Sequence, residues 1–279
     1  MDQYYVIGHP IAHSKSPQIH ARFAELTGQT LRYERLLVEP GHFGATLAKL
    51  LARGDVRGCN VTVPFKLEAF EQAHEASPRA QLALAANTLQ FEGGRICADN
   101  TDGLGLVRDI EVNAGQPLQG RDVLLLGGGG AAAGALGPLL LAGPRRLVLA
   151  NRTLAKAQAI AQRHREHPSL AEALARTELV VLPLGAELPA SDVVINASAS
   201  SLSGEDMPLV PAALQPGALV YDMMYGPAAE PFLRWAADCG ARCRDGLGML
   251  VEQAAEAFLL WRGVRPPAAT VLHEMRQAP

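Results

Sequence analysis

An uncharged segment of 22 residues, 123–144, places the strongest limit on how this chain can fold. Its length and apolar character would suit a membrane-spanning helix. However, it contains seven glycines and Pro138, and four of the glycines come in a row directly after Val-Leu-Leu-Leu. Such a run breaks a helix in its first third. We therefore predict a strand, a glycine loop and a helix within a buried α/β core, and no membrane span.

The same alternation extends along almost the whole chain, where short aliphatic runs are followed by amphipathic stretches. This pattern is typical of parallel sheets covered by helices, so the predicted fold class is α/β. We predict strands at residues 4–7, 32–37, 58–63, 122–126, 146–150, 179–182, 192–196 and 218–222. Helices are predicted to begin at Pro17, Phe43, Phe65, Gly103, Gly130, Leu154, Ala228 and Leu247.

The length of 279 residues suggests about two domains. Residues 113–120, Asn-Ala-Gly-Gln-Pro-Leu-Gln-Gly, interrupt the alternation of strands and helices, and a new strand, glycine loop and helix begin after them. A late helix, from Leu247 to about Trp261, has an apolar face that we expect to pack on the first domain. We therefore predict a discontinuous first domain, 1–103 plus 246–279, and a dinucleotide-binding domain, 104–245.

Composition excludes several classes of protein. Apolar residues make up 48% of the chain and charged residues 19%, with a net charge of −3 and no basic tract. This is a globular composition without the positive surface that nucleic acid requires. The four cysteines show no metal-ligand spacing; they are Cys59, Cys97, Cys239 and Cys243. The N-terminus has no signal region, so we expect a cytoplasmic protein without a metal.

The glycine loop predicts a dinucleotide site. It fits the pattern Gly-x-Gly-x-x-Ala through Gly127, Gly129 and Ala132, directly after a strand and before a helix. Glycines let the backbone approach a pyrophosphate, which the helix N-terminus stabilises. The alternative is an inert glycine turn. The predicted cofactor-binding residues here are Gly127, Gly128, Gly129, Gly130, Ala131 and Ala132.

The residues after the next strand favour NADP over NAD. An acidic residue at this place would accept hydrogen bonds from a free ribose hydroxyl. This chain has Asn151, Arg152 and Thr153 there, with Lys156 shortly after. Arginine binds a phosphate through two charge-assisted hydrogen bonds, whereas a carboxylate would repel it. The alternative interpretation is a helix-capping cluster with a solvated arginine.

Lys66 and Asp102 are the candidate proton-transfer residues. Only four of the 25 basic residues are lysine, and Lys66 lies at a predicted helix start, where the helix dipole disfavours a cation. Asp102 lies in a turn that opens another helix. Reduction of a ketone by hydride requires a proton donor, and a lysine held by an aspartate can provide one. The alternatives are a surface lysine and a helix-capping aspartate, and sequence spacing alone does not show that the two residues meet.

Taken together, these motifs resemble the shikimate dehydrogenases. The matching segments cover nearly the whole chain in order and are GHPIAHSKSP from Gly8, NVTVPFK from Asn60, ANT from Ala86, NTDG from Asn100, NRT from Asn151, YDMMYGP from Tyr221 and DGLGMLVEQAA from Asp245. The resemblance implies two α/β domains around a cleft, an N-terminal substrate domain and a Rossmann-type NADP-binding domain. It also implies NADP-linked interconversion of 3-dehydroshikimate and shikimate in aromatic amino-acid biosynthesis.

Residue by residue, the resemblance implies that Lys66 and Asp102 are catalytic. The substrate carboxylate would contact Ser14 and Ser16. The other substrate-binding residues would be Thr62, Asn87, Tyr225 and Gln253. Met223 and Gly246 would join the glycine loop and Asn151, Arg152, Thr153 and Lys156 as cofactor-binding residues. The expected ligands are small molecules, with neither nucleic acid nor membrane, and a homodimer is possible.

This sequence departs from the family pattern at Ala21, Ala133, Glu230 and Ser198-Ala199-Ser200-Ser201. Ser16 before Pro17 also suits a helix N-cap, and Gln253 could simply be solvated. Three other functions stay open. They are an NAD-linked quinate/shikimate dehydrogenase, a folate-cycle dehydrogenase of related architecture, and a catalytically inactive nucleotide sensor.

Overall fold

The computed structural model describes residues 1–198 and 209–277. The departures from the family pattern at Ala199, Ser200 and Ser201 lie outside these residues. The chain divides into two compact units: unit 1 is Met1–Gly105 with Val251–Pro279, and unit 2 is Leu106–Leu250.

The described residues form twelve strands and eleven α-helices. The strands are β1 Asp2–Gly8, β2 Leu31–Leu37, β3 Val56–Val61, β4 Glu75–Ala76, β5 Thr88–Glu92, β6 Arg95–Asp99, β7 Asp122–Leu126, β8 Arg146–Asn151, β9 Glu178–Pro183, β10 Ser191–Asn196, β11 Leu214–Asp222 and β12 Arg242–Arg244. The α-helices are α1 Ser16–Thr27, α2 Phe43–Ala52, α3 Lys66–Glu71, α4 Pro78–Ala83, α5 Asp102–Arg108, α6 Gly130–Leu141, α7 Leu154–Glu166, α8 Ala171–Leu174, α9 Glu230–Asp238, α10 Leu247–Arg262 and α11 Ala268–Gln277.

Unit 1 is built on a mixed sheet with the strand order β2-β1-β3-β5-β6-β4. Strand β5 runs antiparallel to both of its neighbours, and the other pairs are parallel. One face is covered by a core that includes Phe43, Leu47 and Phe65. Late in the chain, Trp261 of α10 stacks on Tyr4 of β1, with ring centroids 4.6 Å apart.

Unit 2 is built on a sheet with the order β12-β11-β10-β7-β8-β9, in which every pair is parallel. Read from the other edge, this is the doubly wound dinucleotide-binding order, in which the chain direction across the sheet reverses between β7 and β10. All five residues of β7 are buried, as expected for a central parallel strand covered on both faces. Ligands of such sheets bind at the carboxyl ends of the strands beside this reversal.

The structure confirms the α/β fold class and every predicted strand. The uncharged segment forms β7, a loop and α6, as predicted. The expectation of parallel strands throughout is wrong in unit 1, because the hairpin of β5 and β6 was missed. Gly93 and Gly94 turn this hairpin with φ of 56° and 76°, a two-glycine turn that the sequence displays openly.

Other boundaries also differ. Besides β5 and β6, the short strands β4 and β12 and the helices α4, α8 and α11 were not predicted. No helix within the described ranges has both the length and the apolar character needed to cross a membrane.

Candidate active site

The candidate catalytic residues of unit 1 come from segments that end at one edge of its sheet. Lys66 follows β3, Asp102 follows β6, and Asn87 directly precedes β5. Because β5 runs antiparallel to β3 and β6, its first residue lies at the edge where those two strands end. The register confirms this, since Thr88 pairs with Asn60 on one side and with Asp99 on the other.

Lys66 and Asp102 form an ion pair. Lys66 Nζ donates to Asp102 Oδ2 over 2.6 Å, and their side chains are 31% and 14% exposed. Each residue is the first of a helix, α3 and α5 respectively. The helix dipole therefore favours the aspartate and disfavours the ammonium, which Asp102 compensates. The structure thus brings together the two residues that sequence spacing alone could not connect.

Asn87 fixes the orientation of Asp102. Its Nδ2 donates to Asp102 Oδ1 at 2.8 Å, with Thr101 Oγ1 at 2.9 Å and Gln253 Oε1 at 3.1 Å as further acceptors. Its Oδ1 accepts from the Thr101 backbone N–H at 2.9 Å, which sets the amide's orientation. Gln253 is only 8% exposed, so its interpretation as a solvated side chain is wrong.

A second layer of polar side chains supports Asn87 and was missed from the sequence. Tyr33 Oη donates to Asn60 Oδ1 at 2.7 Å. Asn60 Nδ2 in turn lies 3.1 Å from Asn87 O and 3.0 Å from Thr88 Oγ1. The available signal was Asn60 itself, an amide between the apolar residues Cys59 and Val61 of a predicted strand. A buried polar group of this kind needs partners.

Ser14 and Ser16 follow β1 at the start of α1. The Ser16 backbone N–H donates to Ser14 Oγ at 3.3 Å. The expectation that Ser16 caps α1 is wrong, because Ser16 is already the first helical residue and Lys15 holds the N-cap position without a side-chain cap. Ser16 is instead buried, with 7% of its surface exposed, and its side chain lies beside the Tyr33 phenol. Thr62, just after β3, donates its backbone N–H to Ile7 O at 2.9 Å.

The glycine loop of unit 2 has a backbone that side chains would obstruct. Gly127 has φ of +133°, and a Cβ there would lie 2.9 Å from Ala197 O. A Cβ at Gly128 would lie 2.4 Å from Asn151 Nδ2, so the loop packs directly on the residue that ends β8. Gly129 and Gly130 face open space at the exposed start of α6, whereas Ala132 is buried. This bare helix N-terminus fits a pyrophosphate.

The residues predicted to select NADP lie where β8 leads into α7, from Asn151 at the end of β8 to Lys156 in the first turn of α7. Asn151 Nδ2 donates to Thr153 O at 2.8 Å and so closes the turn. Thr153 holds the N-cap position of α7 without a side-chain cap hydrogen bond. Capping therefore does not account for this polar cluster. Arg152, Thr153 and Lys156 are exposed, which suits contact with a charged ligand.

Met223, Tyr225 and Gly246 lie at the carboxyl end of β11 and just after β12. The Gly246 N–H donates to Met224 O at 2.8 Å, and a Cβ at Gly246 would lie 2.1 Å from Met223 O. Met223 and Gly246 are therefore in direct contact. Tyr225 is half-buried, and this burial raises the pKa of its phenol.

A buried ion pair holds the strands that carry these residues. Asp109 is fully buried and pairs with Arg244 of β12, while Tyr221 Oη of β11 donates to Asp109 Oδ2 at 2.8 Å. A Cβ at Gly248 would lie 1.9 Å from Asp109 Oδ1, so only glycine fits there. Of the family departures, Ala133 is buried and Glu230 pairs with Arg234 at 3.5 Å.

These features define a class: a two-domain oxidoreductase with a doubly wound nucleotide-binding unit and a lysine–aspartate pair in its other unit. Three family models match. They are the shikimate dehydrogenase substrate binding domain over residues 6–89, shikimate/quinate 5-dehydrogenase over residues 110–204, and the shikimate 5'-dehydrogenase C-terminal domain over residues 246–276. The chain belongs to the shikimate dehydrogenase family.

Relatives match along the full length. The shikimate dehydrogenase (NADP(+)) of Acidovorax sp. (strain JS42) is 62% identical and covers 99% of this chain and 96% of its own. An Ael1 enzyme from Pseudomonas putida superposes with a TM-score of 0.88 at 46% identity, covering 100% and 99% of the two chains. The shikimate 5-dehydrogenase of Thermus thermophilus, in complex with NADP(H) and shikimate, has a TM-score of 0.84 at 30% identity, covering 100% of both chains.

Proposed function

We propose that this protein catalyses the reversible, NADP-dependent reduction of 3-dehydroshikimate to shikimate, a step of aromatic amino-acid biosynthesis. The observation that carries the proposal is the 2.6 Å ion pair of Lys66 and Asp102, oriented by Asn87. NADPH supplies the hydride when bound. The membership of the family and the named activity of relatives such as the Acidovorax protein support the same reaction.

Lys66 is the proposed proton donor. The carbonyl oxygen of the substrate gains negative charge as the hydride arrives, and the Lys66 ammonium gives that oxygen a proton. In the oxidation direction the neutral amine takes the proton back. Asp102 holds the Lys66 side chain in place and contacts a substrate hydroxyl. Asn87 keeps Asp102 turned towards Lys66.

The substrate carboxylate is proposed to bind the hydroxyls of Ser14 and Ser16. This is supported by their position after β1, at the same edge of the sheet as Lys66. Ser16 also lies beside Tyr33, whose hydroxyl is connected through Asn60 to Asn87. The proposed contacts of the ring oxygens are Thr62, Asn87, Tyr225 and Gln253.

The cofactor is proposed to bind unit 2 through three groups of residues. The backbone of residues 127–132 would hold the pyrophosphate, because the start of α6 is bare and exposed. Asn151, Arg152, Thr153 and Lys156 would bind the 2′-phosphate of the adenosine. Met223 and Gly246 would contact the nicotinamide end.

The decisive experiment is to follow NADPH absorbance with the purified protein and 3-dehydroshikimate. Wild type is expected to consume NADPH, and Lys66→Ala is expected to consume it more slowly by about 10²-fold or more. Parallel assays with quinate and with NAD test the broader quinate/shikimate alternative. That alternative predicts turnover of quinate comparable to that of shikimate, and turnover with NAD comparable to that with NADP. NADPH binding without turnover would instead identify a nucleotide sensor.

Three further points are proposals of the same kind. Domain boundaries at 1–103 plus 246–279 and 104–245 can be tested by limited proteolysis. A cytoplasmic location fits the four free cysteines and can be tested by cell fractionation. A homodimer would appear in size-exclusion chromatography with light scattering.

A further inference from the structure

Asp99, the last residue of β6, gathers four donors on one carboxylate. Its Oδ1 accepts from Ser77 Oγ at 2.5 Å, from Arg79 Nε at 3.1 Å and from the Asn100 backbone N–H at 2.7 Å. A second Arg79 nitrogen donates to Oδ2. The Asp99 side chain is only 12% exposed, so this is a mostly buried, paired charge. None of the catalytic roles proposed above accounts for it.

Asp99 contacts both segments that carry the proton-transfer cluster. Its backbone carbonyl accepts the N–H of Asn87 at 3.1 Å, and its carboxylate holds the N–H of Asn100. The Asn100 side chain also bonds both segments. Its Oδ1 accepts from the Asp102 N–H at 3.2 Å, and its Nδ2 donates to Ala85 O at 3.0 Å. The backbone positions of Asn87 and Asp102 thus both depend on Asp99.

The short helix α4 connects this arrangement to Asn87 a second time. Ser77 caps α4 by accepting from the Ala80 N–H at 3.2 Å, and Arg79 lies in its first turn. The helix ends at Leu84, which has φ of 51° and turns the chain towards Asn87. A non-glycine residue in this left-handed region persists only where its surroundings hold it. The ion pair therefore anchors the start of the segment whose end presents Asn87.

We propose that Asp99 and Arg79 are positioning residues for proton transfer, which rests on the proposed function of Lys66. Arg79 neutralises Asp99, and the neutralised carboxylate fixes the backbone from which Asn87 and Asp102 project. Removing Arg79 leaves a mostly buried carboxylate unpaired, and the segment must move to let water reach it. The Lys66–Asp102 pair then loses its alignment with the substrate oxygen.

The test compares Arg79→Ala and Asp99→Asn with Arg95→Ala. Arg95 makes a matched control, because it forms a second ion pair of β6, to Glu75 of β4 at 3.0 Å. Both side chains of that pair are exposed, and Arg95 does not contact Asp99. In the two test variants, kcat for 3-dehydroshikimate should fall by about 10- to 100-fold, the cost typical of small misplacements. The Kd for NADPH should change by less than about threefold, since its proposed binding residues lie in unit 2. The KM for 3-dehydroshikimate should rise by a smaller factor than kcat falls, because Asn87 and Asp102 keep their polar groups.

Two readouts separate positioning from loss of folded protein. The solvent deuterium isotope effect on kcat should rise, because proton transfer becomes the slower step; a smaller folded fraction would leave it unchanged. In Arg79→Ala, methylguanidinium should restore part of kcat, since the Arg79 side chain is 31% exposed and the space it leaves beside Asp99 is open to solvent. No such rescue is expected in Asp99→Asn. Arg79→Lys, which keeps the charge, should lie between wild type and Arg79→Ala.

Several results would overturn the proposal. One is a kcat of Arg79→Ala and Asp99→Asn within twofold of Arg95→Ala. Another is a lowered kcat in both Arg79→Ala and Arg79→Lys while the solvent deuterium isotope effect on kcat stays at its wild-type value in both. If wild type itself fails to consume NADPH with 3-dehydroshikimate, the proposed function fails first. If wild type turns over and the variants match it, only the positioning role fails.

Discussion

Unit 1 and unit 2 assemble their candidate sites by different means. In unit 1 the cluster is made of side chains far apart in the sequence, Lys66, Asn87, Asp102 and Gln253, joined by direct hydrogen bonds. In unit 2 the proposed pyrophosphate site is the backbone of one continuous loop, residues 127–132. The first site therefore depends on long-range strand order, and the second on local conformation.

The sheets show the same difference. In the all-parallel sheet of unit 2, the loop after β7 lies at the reversal of strand order, and the groups proposed to hold the pyrophosphate all come from that one loop. In unit 1 only the antiparallel β5 places Asn87 beside Asp102. A single substitution in the side-chain cluster should thus impair chemistry, whereas one around the cofactor loop should impair binding. The predictions below test this distinction.

The largest effect is expected at Lys66. Lys66→Ala should lower kcat by about 10²-fold or more, because the proton donor is lost. Lys66→Arg should recover little, since arginine keeps the charge and does not release its proton. Both are measured as kcat at saturating 3-dehydroshikimate and NADPH, with circular dichroism as the folding control. Near-normal kcat in Lys66→Arg would reduce Lys66 to an electrostatic anchor.

In unit 2, Arg152→Ala should affect binding instead of chemistry. Loss of a hydrogen bond to a charged phosphate costs about 1.5–3 kcal/mol, or about 10- to 100-fold in the KM for NADP. The KM for NAD, which lacks that phosphate, should change little, and kcat at saturating NADP should be kept. Because Arg152 is exposed, raising the salt concentration should erode part of the wild-type preference.

The measurement is kcat/KM for NADP and for NAD at one fixed ionic strength, in wild type and Arg152→Ala. Lys156→Ala serves as the graded comparison, with a smaller expected loss. Equal values for the two cofactors in wild type, or an unchanged ratio in Arg152→Ala, would contradict the assignment of this loop.

The same difference between the units explains what the sequence could predict. The glycine loop was predictable because strand, glycines and helix follow one another directly. The meeting of Lys66 with Asp102 was not, because it depends on the order β3-β5-β6, and β5 and β6 had not been predicted. Thr-Leu-Gln-Phe-Glu in β5 alternates apolar and polar residues, a weaker signal than the aliphatic runs of unit 2.

Details of local geometry also escaped the sequence. A serine before a proline suggests an N-cap, yet α1 begins one residue earlier and Ser16 is buried beside Tyr33. Of the supporting residues, Tyr33 and Asp99 lie outside the matched motifs, and Asn60 begins a motif whose predicted functional residues are Thr62 and Lys66. Their function lies in which partners the fold gives them, and residue type alone does not reveal that.

The two units should also respond differently to acid. Burial among aromatic rings lowers the pKa of His20 in unit 1 to about 3, and burial lowers the pKa of His164 in unit 2 to about 4. Each is neutral when folded, whereas the unfolded chain takes up a proton below its ordinary pKa of 6.5. The contribution of each histidine to the free energy of unfolding is thus fully present above about pH 6.5. On acidification it falls by up to about 1.4 kcal/mol per pH unit for each histidine.

His20→Phe should remove this slope from unit 1 alone, since phenylalanine can take the same stacked position against Tyr33. The measurement is native-state hydrogen exchange of buried β1 and β8 amides between about pH 7 and pH 5, corrected for intrinsic exchange. Amides of β8 should keep the wild-type slope, and His164→Leu should give the reciprocal pattern. An unchanged slope for β1 in His20→Phe would contradict the assignment.

The smallest effect is expected at the serines of unit 1, which bind without taking part in proton transfer. Ser14→Ala removes one neutral hydrogen bond to the substrate carboxylate, worth about 0.5–1.5 kcal/mol, so the KM for 3-dehydroshikimate should rise about two- to tenfold with kcat nearly kept. Ser16→Ala should raise the KM similarly. It should also lower kcat slightly, because Ser16 contacts Tyr33, which supports Asn60 and through it Asn87.

Since Ser16 does not cap α1, Ser16→Ala should lower the free energy of unfolding by less than the ~1 kcal/mol typical of a lost cap. The exposed Ser169 of unit 2 provides the control, and Ser169→Ala should leave the KM for 3-dehydroshikimate and kcat unchanged. Steady-state kinetics of the three variants, with urea unfolding for stability, make the comparison. An unchanged KM in both Ser14→Ala and Ser16→Ala would move carboxylate recognition to other residues. A fall in kcat without a change in KM would place these serines with the proton-transfer cluster instead.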